Sequence, residues 1–91
     1  MPAYSATKPQ ILARLKRIEG QTRGVQKMVE DDRYCIDVLT QISAIQAALD
    51  KVALGLLDDH VKHCVVEGHG PGSKEELTEE VMGAIGRLLS R

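Results

Sequence analysis

The chain of 91 residues has no Trp and no Phe, and its only aromatic side chains are Tyr4 and Tyr34. Without aromatic bulk the core must come from Leu, Ile, Val and Ala, and a lone chain of this length buries a marginal core. An aromatic-poor helical chain of this kind is expected to complete its core with another subunit. No apolar run reaches the roughly 18 residues of a membrane span, and no basic-then-apolar leader opens the chain. It is therefore expected to be cytoplasmic and to engage no membrane. Cysteine is scarce too: in a reducing compartment Cys35 and Cys64 read as metal ligands or reactive thiols before they read as a disulfide. There is no glycine-rich phosphate loop and no Ser/His/Asp arrangement. A Cys–His pair on a rigid helix lacks an oxyanion hole, so an enzyme is not expected.

Net charge is only −1, which by itself argues against a nucleic-acid partner. The distribution argues otherwise. Lys8, Arg14, Lys16, Arg17, Arg23 and Lys27 face a single acid, Glu19, so this stretch carries +5 while the remainder carries −6. Such asymmetry fits a basic surface at one end of an assembly. A solvated helix face explains it equally well at this point.

The apolar pattern is helical throughout, on a single domain spanning residues 1–91. Residues 1–7 read as a flexible arm, with Thr7 as a cap, Pro9 in the first turn and Gln10 at the capping-box position. Ile11, Leu15, Ile18, Val25 and Met28 or Val29 then recur on one face, and "EDDR" closes that helix. From about Asp32 to Val66 there is no proline and one glycine, Gly55. Val38, Ile42, Ile45, Leu49, Val52 and Leu56 alternate at intervals of four and three, a coiled-coil-like seam on a helix of about 33 residues, roughly 50 Å long. Residues 68–73 form a linker. Ser73 and Glu76 make a capping box that opens a third helix with Leu77, Val81, Ile85 and Leu88 inward. The fold class is all-α: three helices, the central one very long.

The stretch "DDHVKHCVVEGHG" gathers His60, His63, His69 and Cys64. His60 and Cys64 stand at i and i+4, one turn apart on one helix face, a two-point metal clip or simply two surface residues. Cys35 lies 25 residues before His60 and 29 before Cys64. At about 100° per residue, both intervals come within roughly 20° of whole turns, so all three share a stripe. Along the axis Cys35 and Cys64 are separated by about 43 Å, which no single chain can close. Two antiparallel copies related by a two-fold axis near residues 47–49, where Ala44, Ala47 and Ala48 permit close approach, bring Cys35 of one to His60 and Cys64 of the other. His63 lies off the stripe and reads as a bystander, and His69 in the linker as a weak candidate. Two thiolates and an imidazole suit Cu(I) or Zn, and the lack of an evident fourth ligand favours Cu(I).

The segments "RLKRIEGQ" and "YCIDVLTQISA", with H-x₃-C at the matching distance, make the chain resemble the copper-sensing operon repressor family of bacterial transcription factors, from about Ile11 to Leu89. The resemblance implies an antiparallel four-helix-bundle dimer assembling to a homotetramer. It implies that the apo form binds operator double-stranded DNA and that Cu(I) releases it, derepressing efflux genes. Cys35, His60 and Cys64 match the copper ligands, and Tyr34 and Glu76 match positions behind them, where hydrogen bonding would couple the site to the third helix. Arg14 matches a DNA-contacting position, with Lys16 and Arg17 beside it in the basic stretch. Lys51 stands at another that is often arginine, keeping the charge without the bidentate fork.

Sister branches sense other signals. Nickel or cobalt sensors use an N-terminal histidine and one at position 64, where this chain has Ala3 and Cys64. Persulfide sensors lack the histidine at 60. Formaldehyde sensors pair Pro2 with Cys35; this chain has Pro2, but that branch carries no thiol at 64. Copper storage without DNA needs the same ligands but not the basic first helix, so the +5 stretch separates those two readings.

Overall fold

A computed structural model describes residues 2–90. Its regular elements are helical: α1 (Lys8–Glu30), α2 (Cys35–His60) and α3 (Lys74–Leu89), with a 3₁₀ turn at Ser5–Thr7 and a π-helical segment at Val61–Val66 directly after α2. The described chain falls into two compact units. One is Ala6–Leu54; the other is formed by the residues on either side of it.

In the first unit the buried apolar side chains are Ile18 of α1 and Val52 of α2, 8% and 6% exposed. Each such side chain contributes about 1.5–3 kcal/mol when withdrawn from water. Ile11, Val25 and Met28 are half-buried, whereas Leu15 stays exposed. Thr7 holds the N-cap position without the side-chain cap that its spacing to Gln10 predicts. Its ψ of 3° is far from the extended backbone that aims a cap side chain at the first turn. The other end is closed as "EDDR" suggests. Asp32 takes φ 56°, its N–H donates to Val29 O at 3.1 Å, and Arg33 N–H donates to Met28 O at 2.9 Å. That paired closure satisfies the last carbonyls of α1.

In the second unit, Leu77 and Val81 of α3 are buried, Ile85 is half-buried and Leu88 is exposed, so the predicted inward stripe fades toward the C-terminus. The Ser73 half of the capping box forms, while Glu76 bonds the Ser73 hydroxyl instead of its backbone N–H. Ser73 is extended, its Oγ accepts from Glu76 N–H at 3.2 Å, and the hydroxyl donates to Glu76 Oε1 at 3.1 Å. Among the predicted arm residues, the Ser5 N–H and hydroxyl both donate to Pro2 O, at 3.1 and 2.8 Å.

The linker folds back on the π segment. His69 N–H donates to His63 O at 3.2 Å and Gly70 N–H to Cys64 O at 3.1 Å. A Cβ on Gly70 would stand 2.6 Å from Leu77 Cδ1 and 2.8 Å from Cys64 O. The carbonyl is backbone and cannot retreat, so Gly70→Ala is expected to cost about 1–3 kcal/mol. Thermal unfolding should show this as a Tm drop of several degrees. Gly72→Ala, whose nearest neighbour is the far end of the Glu76 side chain at 3.4 Å, should change Tm little.

Candidate functional site

Six residues line one cavity of about 310 Å³ in the Ala6–Leu54 unit: Arg14, Arg17, Ile18 and Gln21 of α1, with Ala48 and Lys51 of α2. Arg14, Arg17, Ile18 and Gln21 recur at helical spacing, so they share one face of α1. Among the described residues the ion pairs of α1 lie further along it, Arg23 with Glu19 at 3.1 Å and Lys27 with Asp31 at 3.4 Å. Arg14, Arg17 and Lys51 enter none of the ion pairs among the described residues, so three positive charges converge on one concavity. Lys16 is not part of it. Two residues from Arg14, it points elsewhere, along a groove with Pro9, Leu12, Ala13, Leu15 and Glu19. Ala48, one of the three alanines read from the sequence as a close-approach surface between copies, lines this cavity with α1.

Cys35 is the first residue of α2, an exposed free thiol. Tyr34 precedes it, 70% exposed, with its carbonyl accepting from Asp37 and Val38 N–H at 3.0 and 3.2 Å. His60 is the last residue of α2, and Cys64, a half-buried free thiol, lies within the π segment. Uniform α-helix over residues 35–66 would put Cys64 on the stripe of Cys35 and His60. The wider π turn changes the azimuth of Cys64 from that estimate while leaving it one turn beyond His60. π turns of this kind are rare and concentrate at functional sites. Among the described residues, no group of three or more His, Cys, Asp or Glu side chains could hold a metal ion.

The carboxylate next to His60 is Glu80: its Oε1 lies 3.7 Å from His60 Nε2, beyond hydrogen-bond length but within electrostatic contact. Glu76, the sequence candidate for that role, is engaged by Ser73 in the cap of α3. Glu80 is not among the residues that the motifs single out. Its position carries a signal all the same, since Glu80 follows Glu76 by one turn on the same face of α3 and directly precedes buried Val81. His63 and His69 stack on each other, ring centroids 4.8 Å apart. Lys62 is held by Asp58 at 3.0 Å, and that hydrogen bond, with the charge of the same carboxylate, raises the lysine pKa.

No described helix is long and apolar enough to cross a membrane. Residues 7–87 match the family described as "Metal-sensitive transcriptional repressor". The copper-sensing transcriptional repressor CsoR of Bacillus subtilis (strain 168) is 56% identical over 78 residues, covering 86% of this chain and 77% of that protein. The copper-sensing transcriptional repressor RicR of Mycobacterium tuberculosis (strain ATCC 25618 / H37Rv) is 52% identical over 89 residues, covering 94% and 92%. Among solved structures, the repressor CsoR with Cu(I) from Geobacillus thermodenitrificans NG80-2 superposes with a TM-score of 0.84 at 54% identity, covering 96% of this chain and 91% of that one. The nickel-responsive regulator InrS gives 0.74 at 41% identity, covering 89% and 91%. This chain therefore belongs to the metal-sensitive transcriptional repressor family.

Proposed function

We propose that this protein is a copper(I)-responsive transcriptional repressor. The apo protein binds operator double-stranded DNA, and Cu(I) held between subunits by Cys35, His60 and Cys64 releases it and derepresses copper efflux genes. The observation that carries the reading is the 54% identity, over nearly the whole chain, to a repressor solved with Cu(I). The fold alone would not choose the metal, because a nickel-responsive regulator shares it. The donors do. Two thiolates and one imidazole are soft-leaning and suit Cu(I).

Cys35 opens α2 and His60 closes it, so the three ligands are assigned to a site completed by the partner subunit. A homodimer, associating further into a homotetramer, also suits the surface. Ile36, Leu39, Ile42 and Leu49 of α2 are exposed in the single chain, and the buried apolar residues among those described are just Ile18, Val52, Leu77 and Val81. So many exposed apolar side chains on one helix suit an interaction surface. DNA is assigned to the Arg14, Arg17 and Lys51 cavity, with Lys16 outside it on the same helix. A protein of this function works in the cytoplasm and is not an enzyme.

The cross-subunit site is tested by complementation. Neither a Cys35→Ala chain nor a His60→Ala, Cys64→Ala chain can form a full site alone. Mixed and reassociated, they are expected to regain one tight Cu(I) site per heterodimer in an anaerobic competition titration. Mixed dimers that bind no more Cu(I) than their parents would place all three ligands within one chain, or replace one of them.

A further inference from the structure

Gln21 lies in the cationic cavity of the Ala6–Leu54 unit, half-buried, one helical turn beyond Arg17 and two beyond Arg14. Its side-chain Oε1 is withdrawn from solvent and accepts no hydrogen bond among the described residues. Buried acceptors are nearly always satisfied in folded proteins, and one that is not calls for a reason. Here the surroundings supply one, because the cavity is lined by donors, two guanidiniums and an ammonium, none of which reaches the orphan carbonyl. Three like charges around one concavity repel one another, which opposes drawing any of them inward.

We propose that Gln21 is a positioning residue for DNA. When a backbone phosphate enters the cavity, the Arg17 guanidinium donates one N–H to Gln21 Oε1 and turns its remaining N–H groups toward the phosphate. The proposal rests on the reading of this cavity as the DNA surface. The phosphate charge removes the repulsion that keeps the cations apart. Arg17 precedes Gln21 by four residues, so the two side chains are neighbours on the helix surface. A guanidinium carries five N–H donors in a rigid plane, more than one phosphate can take, and a carbonyl on the spare donors fixes the orientation of that plane. A neutral amide does this without cancelling the arginine's charge, as a glutamate would. The unmet acceptor burdens the free protein and is satisfied in the complex, which favours binding.

The test is Gln21→Met, which keeps the length and helix preference and removes the acceptor. Operator affinity, measured by fluorescence anisotropy, is expected to weaken about tenfold, the scale of one hydrogen bond. The slope of log K against log[salt] should hold, since no phosphate charge goes unneutralised, whereas Arg17→Ala should lower it by about 0.9 per phosphate released. Tm should hold or rise, because an orphan polar group has been removed. The Arg17→Ala, Gln21→Met double variant should bind no worse than Arg17→Ala alone, because Gln21 acts through Arg17. Additive losses in the double variant, or a Tm that falls in step with affinity, would overturn the proposal. If Gln21→Met is silent while Arg17→Ala weakens binding, the role of Gln21 fails and the DNA surface stands. If Arg17→Ala also binds like the parent, the cavity is not the DNA surface and both readings fall.

Discussion

An Arg14→Ala, Lys51→Ala double variant is expected to bind its operator about 100-fold more weakly than the parent, while its helical content and Cu(I) stoichiometry are unchanged. The two side chains come from different helices yet line one cavity, so both can reach the same stretch of DNA backbone. Hydrogen bonds to a charged partner are worth about 1.5–3 kcal/mol each, and two at the lower bound give roughly the stated factor. Neutralising a phosphate also releases counterions, so the salt dependence should flatten by about 0.9 for each phosphate that the variant leaves unpaired. Neither residue supports the fold: both are exposed, and neither enters an ion pair among the described residues. Circular dichroism and a copper titration on the same preparation separate impaired recognition from impaired folding. Unchanged operator affinity would move the DNA surface away from this cavity. In that case Lys16, on its own face of α1, becomes the next residue to replace.

The helices were legible because their signals are local. The 3–4 spacing of Val38 to Leu56 and the Ser73–Glu76 pair act within a few residues, and no proline interrupts the run from Asp32 to Val66. The run is helical from Cys35 to Val66, and the Ser73–Glu76 cap forms. The π turn at Val61–Val66 was not legible, because nothing in "VKHCVV" distinguishes an i→i+5 turn from an i→i+4 one. The convergence of Lys51 with Arg14 and Arg17 is a matter of packing between helices, and the register of α2 against α1 cannot be read from either alone. Lys16 shows the converse. It shares the charge run with Arg14 and Arg17, but two residues of helix turn it onto another face. Glu76 and Glu80 carry the same lesson within α3. The sequence favoured Glu76 for contact with His60, but a capping residue is already committed to its own helix end, which leaves Glu80 facing the histidine.

Glu80→Ala is expected to leave the protein on its operator when copper is added, while Glu76→Ala still releases. An effector shifts an equilibrium only by its differential affinity for the two states, so some interaction must differ between metallated and apo protein. A histidine that binds metal through one ring nitrogen presents the other as a fixed N–H donor. His60 Nε2 and Glu80 Oε1 stand 3.7 Å apart, short of a hydrogen bond. Closing that gap on metallation would tie α3 to the end of α2 and give the bound state a link that the free state lacks. Couplings between sites are typically about 1–3 kcal/mol, a factor of about 5–150 in affinity, so removing one such link can abolish most of the response. Glu80 is assigned no place among the ligands, so Cu(I) affinity should fall little. Glu76→Ala is the control. It removes the partner of the Ser73 hydroxyl and should lower stability by about 0.5–1 kcal/mol through the weakened cap, with copper still releasing DNA. Operator titrations of both variants with and without Cu(I) give the answer directly. Release by Glu80→Ala as complete as in the parent would sink this route and send the signal through α2 and the subunit interface instead.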